Sequence, residues 1–210
     1  MRKFPVAREA WTYVAILMLP AVAAYLFFIP GFIVILLAIA GVIFFFRNPR
    51  RVVPQQPGLI VSPADGKVIE VAKVTEDQFL NGPALKISIF LNIFNVHINR
   101  MPIAGEIGWV RYFPGKHLPA FNEEASRVNE RNYVAIDGEC KVLVTQIAGL
   151  VARRVVCDVD KGRQLKRGQI FGLIKFGSCT EVYVPADVEV LVSKGETVKG
   201  GETVLGRLKM

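Results

Sequence analysis

From Ala10 to Phe46 the chain carries no charged residue, and a bilayer cannot hold that run as one straight helix. At 1.5 Å per residue it would be roughly 55 Å long, against a hydrocarbon core of about 30 Å. The segment has to turn back, and Ile29-Pro30-Gly31 is where proline and glycine together favour a turn. Two apolar runs are then expected, residues 11–28 and 32–46, each about one short span. Arg2, Lys3 and Arg8 precede the segment, and Arg47, Arg50 and Arg51 follow it. Positive charge at both outer ends places both on the cytoplasmic side, so residues 1–46 read as a transmembrane helical hairpin. A cleaved signal peptide fits less well, because the run exceeds an h-region and arginines follow it at once. A single tilted span with an interfacial segment is the other geometry open to the same anchor.

The net charge of +8 would suggest nucleic acid if it were spread over a globular face. It is not. Six of the 26 basic residues and one of the 18 acidic ones lie in the first 51 positions, so the membrane segment holds most of the excess and no nucleic-acid partner is expected. Cys140, Cys157 and Cys179 show no C-x-x-C spacing and cannot all pair, which fits a reducing compartment without a disulfide framework or a metal site.

Residues 47–57, with Arg47-Asn48-Pro49-Arg50-Arg51 and Pro54-Gln55-Gln56-Pro57, form a basic, proline-containing linker. Beyond it the pattern changes to short β-rich runs punctuated by glycine, among them 66–71, 85–90, 133–136, 141–147 and 180–184. Helical periodicity is confined to 122–132, which could hold a turn or two of helix or be loop. Residues 58–210 therefore read as one mostly-β domain, a barrel or sandwich. The run 190–208 and Ser62-Pro63-Ala64-Asp65-Gly66-Lys67-Val68 resemble the glycine-punctuated strands of biotinyl/lipoyl-like barrel-sandwich domains. That likeness speaks to fold alone, and no lysine stands in a context suited to carrying biotin or lipoate.

Few residues can do acid/base work near neutral pH. His97 follows an apolar strand in Phe94-Asn95-Val96-His97-Ile98-Asn99-Arg100-Met101-Pro102, where it either faces a pocket or is packed as a core histidine. His117 sits in a loop, Pro114-Gly115-Lys116-His117, and reads as solvated. Asp65 precedes a glycine and by itself makes a turn. Phe176-Gly177-Ser178-Cys179 is the most unusual step. It lacks the G-x-S-x-G of a hydrolase elbow, yet a carbonyl on a residue without Cβ, followed by a hydroxyl, is what backbone self-cleavage requires. Cys179 would attack one residue later.

Taken in order, Ser62-Pro63-Ala64-Asp65-Gly66, the His97 segment, Tyr112-Phe113-Pro114-Gly115-Lys116, Asn129-Glu130-Arg131-Asn132 and Ile174-Lys175-Phe176-Gly177-Ser178 resemble the short, membrane-anchored form of the phosphatidylserine decarboxylase family, over nearly the whole chain. The resemblance implies that 58–210 is the catalytic domain and that the chain cuts itself between Gly177 and Ser178 into residues 1–177 and 178–210. Ser178 would become a pyruvoyl group that forms a Schiff base with the substrate amine and accepts the electrons left as CO2 departs, with no external cofactor or metal. It further implies His97 as catalytic base, and Asp65 as the carboxylate that orients or charges it. Where longer bacterial relatives have a second histidine before Met-Pro, this chain has Arg100, so His97 would serve both cleavage and turnover, or Arg100 would bind the substrate phosphate or carboxylate. Cys179 departs from the threonine or arginine expected there and is given no role beyond a small, semi-buried position. The implied substrate is phosphatidylserine or a related anionic serine phospholipid, on a diacylglycerol or an archaeal ether backbone. The implied assembly is a heterodimer of the two cleavage chains at the cytoplasmic face of the cell membrane, with higher oligomers left open. From the residues alone, a non-enzymatic membrane-anchored adaptor is the competing reading, in which Ser178, His97 and Asp65 are structural.

Overall fold

Phe28 alone separates two helices, α1 (Glu9–Phe27) and α2 (Ile29–Phe45), in the computed structural model of the chain, which describes residues 5–116, 118, 124–149, 154–175 and 178–209. The turn is tighter than the expected Ile29-Pro30-Gly31, and both latter residues lie in the first turn of α2. Proline is tolerated there because its missing N–H has no intrahelical partner to lose. Gly31 leaves room for the Phe28 ring, whose Cδ1 would lie 2.6 Å from a Cβ at position 31. The helices run antiparallel as a hairpin: Tyr25 meets Phe32 beside the turn (5.3 Å between ring centroids), and Tyr13 stacks on Phe46 at the far end (5.6 Å). Beyond Phe46, Val6 bridges Arg47, with Ala7 N donating to Phe46 O (2.8 Å) and Asn48 N to Pro5 O (2.6 Å). Large apolar side chains cover the outside of the pair, Leu19 at 80% and Phe27 at 86% exposure. Helix α1 is long and apolar enough to cross a membrane, whereas α2 has 17 residues.

The chain divides into two units, Met1–Arg50 and Arg51–Met210. The second is built from β1 (Leu59–Val61), β2 (Gly66–Glu76), β3 (Gly82–Leu91), β4 (Ile98–Arg100), β5 (Gly105–Phe113), the single helical turn α3 (Ala125–Val128), β6 (Arg131–Gly138), β7 (Lys141–Ala148), β8 (Val155–Cys157), β9 (Gln164–Leu165), β10 (Ile170–Ile174), β11 (Ser178–Pro185), β12 (Glu189–Val190), β13 (Thr197–Val198) and β14 (Val204–Arg207). Eight strands form one sheet in the order β13-β2-β3-β11-β7-β6-β5-β9, flanked by three-stranded sheets β1-β14-β12 and β4-β10-β8. Each of the five runs expected from β-rich composition lies within a strand, and 122–132 yields α3 and the start of β6.

One apolar cluster draws on all three sheets, with Ile60 from β1, Ile89 from β3, Phe171 from β10, Val182 from β11 and Leu205 from β14 at 1% exposure or less. The sheets therefore close around a single interior, the mostly-β barrel-sandwich arrangement expected. The glycine-punctuated C-terminal run supplies β12 to β14, and its turns need glycine: Gly195 and Gly201 have φ of +100° and +79°. Strand β11 lies in the middle of the large sheet, antiparallel to β3 along all eight residues and to β7 along the first six.

Candidate active site

Ser178 is the first residue of β11 and is completely buried, paired with Leu91 on one side and Ala148 on the other. Alternation along β11 puts Ser178 and Thr180 on the face that continues into the core through Val182 and Val184. The Ser178 Oγ has no hydrogen-bond partner among the described residues. A buried hydroxyl normally finds one, since leaving it unmade costs about 1–3 kcal/mol. Gly177, with Phe176, lies outside the described residues. Immediately upstream, β10 belongs to the small sheet, so the short stretch before Ser178 carries the chain from one sheet to the other.

His97 is buried at 2% exposure, one residue before β4. Its backbone carbonyl accepts from Ile174 N (3.0 Å), four residues upstream of Ser178. Its Nδ1 lies 3.0 Å from Asn95 O. A carbonyl can only accept, so Nδ1 carries the proton and Nε2 is the basic nitrogen of the neutral ring. His117 lies outside the described residues.

A chain of buried amides joins β4 to the sheet that holds Ser178. Asn132 Nδ2 donates to Gln146 Oε1 (3.1 Å), Gln146 Nε2 to Asn99 Oδ1 (2.9 Å) and Val156 O (3.3 Å), and Asn99 Nδ2 to Thr180 Oγ1 (3.1 Å). Asn129 adds a clamp: its Nδ2 donates to Ala148 O and Leu118 O (both 2.8 Å) and its Oδ1 accepts from Leu118 N (2.8 Å). Ala148 is the register partner of Ser178, so the Asn129-Glu130-Arg131-Asn132 motif acts on the strand beside the serine. Glycine is required at 115 for the same packing, since a Cβ there would sit 2.4 Å from backbone atoms of Val128 and Asn129. Gln146 and Thr180 carry no motif and are identified by the structure alone.

Asp65 is placed elsewhere. Arg51 Nη2 donates to both of its carboxylate oxygens (2.7 and 2.9 Å), and Gly200 N donates to Oδ1 (2.8 Å). These bonds do not reach the imidazole, and the group that holds Nδ1 is a backbone carbonyl. The Asp-Gly turn instead packs on the Gly200-Gly201 turn, where Gly201 N donates to Ser62 O (2.7 Å). Arg100 belongs to the same cluster. It is buried, its Nη1 donates to Gly168 O (3.1 Å), and burial with the neighbouring Arg51 lowers its pKa to about 10 while Asp65 and Glu202 hold it up. It stays charged at neutral pH.

On the opposite face of β11, Cys179 packs with Ile147, Ile69 and Phe90 and is fully buried rather than semi-buried. Burial, and then Glu181, push its thiol well above the ordinary range, so it stays protonated and is a poor nucleophile. Glu181 accepts from Tyr183 Oη (2.7 Å), and burial raises its carboxyl pKa against the opposing pull of that bond.

Residues 39–206 match the family model described as phosphatidylserine decarboxylase. Over 201 residues, 95% of this chain and 94% of the other, the sequence is 53% identical to a phosphatidylserine decarboxylase proenzyme of Carboxydothermus hydrogenoformans. It is 49% identical over 211 residues to one of Symbiobacterium thermophilum, covering 99% and 98%, and 43% identical over 177 residues to one of Desulfotalea psychrophila, covering 83% of each.

Proposed function

Because the chain belongs to the phosphatidylserine decarboxylase family, we propose that it is made as a proenzyme, cuts its own Gly177–Ser178 bond, and converts phosphatidylserine to phosphatidylethanolamine and CO2 at a pyruvoyl group derived from Ser178. Decarboxylation is the family's activity; the cleavage bond, the pyruvoyl group and the residue roles are this reading's own. The observation that carries them is the Ser178 hydroxyl, buried at the head of a central strand without a hydrogen-bond partner among the described residues. A hydroxyl that no described residue holds in a structural bond is available as a nucleophile.

The self-cleavage balances on this chain's own atoms and one water. Ser178 Oγ, its proton taken by His97 Nε2, attacks the Gly177 carbonyl carbon. The C–N bond breaks, the nitrogen takes the proton, and an ester links Gly177 to the serine oxygen. Removal of the Ser178 α-proton then breaks the Cβ–O bond and frees Gly177 as a carboxylate. Water hydrolyses the remaining dehydroalanine, releasing ammonia and leaving a ketone at position 178. That pyruvoyl ketone supplies an electron sink for decarboxylation of an amine substrate. His97, its tautomer set by Asn95 O, would also return a proton to the substrate carbon that loses CO2. Asp65 acts as a positioning residue: by tying Arg51 to the Gly200 turn, it fixes the segment that leads into β2.

Pairing of all eight residues of β11 with β3 and of six with β7, and of β13 and β14 with β2 and β1, supports a heterodimer that stays one folded body after the cut. The helical hairpin with basic residues at both ends supports anchoring in the cell membrane with residues 51–210 at the cytoplasmic face. A denaturing gel with mass spectrometry tests the reading. Two chains are expected, the smaller beginning at position 178 with a blocked N-terminus, together with CO2 release from phosphatidylserine vesicles. A single full-length chain in active protein would refute the pyruvoyl assignment.

A further inference from the structure

Strand β3 ends at Leu91, the register partner of Ser178, and the connection that follows runs through residues 92–97 to His97. This connection leaves the sheet beside the serine and ends on the base. At its tip Ile93 and Phe94 are 53% and 68% exposed, while Val96, two residues on, is buried. Two adjacent large apolar side chains are thus exposed at the tip of this turn.

The turn bonds several of its own polar groups. Asn92 N donates to Asn95 Oδ1 (2.9 Å), Phe94 N to Asn92 Oδ1 (2.9 Å) and Asn95 N to Asn92 O (3.0 Å). Backbone groups already bonded within a turn lose little on leaving water, which is the condition for entering the boundary between headgroups and acyl chains. The same turn supplies the Asn95 carbonyl that accepts from His97 Nδ1. Its orientation is therefore coupled to that of the base.

We infer that the 92–95 turn is a bilayer-docking element: Ile93 and Phe94 enter the lipid interface and bring Ser178 and His97 to the level of the phospholipid headgroup. This rests on the reading that the substrate is a phospholipid. An apolar tip next to the site turns it toward lipid, and the net charge of +4 over residues 51–210 (21 basic, 17 acidic) suits an anionic leaflet.

The test uses the full chain in vesicles of phosphatidylserine and phosphatidylcholine. Ile93→Ser with Phe94→Ser should lower kcat/KM on vesicle phosphatidylserine by about tenfold or more, the effect of withdrawing two apolar side chains from lipid. On a short-chain serine phospholipid below its micelle concentration, the same variant should stay within about twofold of the parent. Equal loss on both substrates would mean that the turn only shapes the site, and would overturn the inference. A second measurement does not depend on catalysis. Phe94→Trp should gain a fluorescence component, relative to the parent, that acyl-brominated lipids quench; a component quenched only by aqueous iodide would overturn docking. If the parent decarboxylates neither substrate, the functional reading fails, while the quenching result still decides where the turn sits.

Discussion

Two neighbouring residues on β7 should respond to mutation with opposite signs. Thr145 and Gln146 are both completely buried, on opposite faces of the strand. Gln146 makes three hydrogen bonds, donating to Asn99 Oδ1 and Val156 O and accepting from Asn132 Nδ2. Gln146→Leu keeps the volume but leaves Asn99 Oδ1 and Asn132 Nδ2 buried without this partner and removes the bond to the half-buried Val156 O. At about 1–2 kcal/mol for each of the two buried groups, less about 1 kcal/mol for the added apolar burial, the expected loss is roughly 1–3 kcal/mol. Thr145 Oγ1 is buried with no partner among the described residues. Thr145→Val removes an unmet hydroxyl without changing shape, and should be neutral or stabilising by up to about 1 kcal/mol. The assay is urea denaturation of the detergent-solubilised chain, followed by tryptophan fluorescence. A Ser178→Ala background keeps a single chain, so that unfolding is not complicated by dissociation. The midpoint should fall in one variant and hold or rise in the other with little change in slope. A loss below about 1 kcal/mol in Gln146→Leu, or an equal loss in Thr145→Val, would mean that the amide chain does not join β4 to the large sheet as described.

Ser178→Ala should leave one full-length chain with no detectable decarboxylation, read on a denaturing gel and by CO2 release. His97→Ala should slow self-cleavage by about 10²–10⁴-fold, the usual contribution of a general base; if it cuts at the parental rate and fails only in turnover, His97 acts after maturation. Glu181→Gln should stabilise the fold at neutral pH, because burial raises the Glu181 pKa above its ordinary 4.5. The favourable protonated form is fully populated below about pH 4.5 and is lost as pH rises through the raised value, so the advantage of glutamine should grow across that window and vanish below it; denaturation midpoints against pH check this. Protease added outside sealed cells should spare residues 51–210, and digestion of that unit would reverse the proposed topology.

The features legible in the sequence were those fixed by local physics. An uncharged run too long for one span forces a reversal whatever the rest of the chain does, and the hairpin follows. Its turn shifted from Ile29-Pro30-Gly31 to Phe28 because proline serves the first turn of a helix as readily as it serves a loop. The β-rich runs became strands for the same local reason. Asp65 shows where that reasoning stops. The Asp-Gly pair foretells a turn, but its partners are Arg51, 14 residues before it, and Gly200, 135 residues after it, and no local pattern distinguishes them from a histidine. Gln146 and Thr180 were invisible because a polar residue in a β-rich run normally faces solvent. They are buried only because β7 and β11 each have neighbours on both sides and a second sheet across one face, a fact of topology rather than of either segment.

The same topology explains why the proposed cut can sit deep in the fold. A bond broken inside a central strand would sever ladder hydrogen bonds and open the core. Here the bond precedes the first residue of β11, where the chain passes from the sheet of β4, β10 and β8 to the large sheet. All eight residues of β11 pair with β3, and six of them also with β7, so the ladders that join the two product strands lie outside the cut bond and survive it. Cleavage therefore removes a covalent connection between sheets that the shared core and the Asn99–Gln146 hydrogen bond still hold together. A strand that starts at the nucleophile, and is held on both edges before it reacts, keeps position 178 in place when its amide is lost.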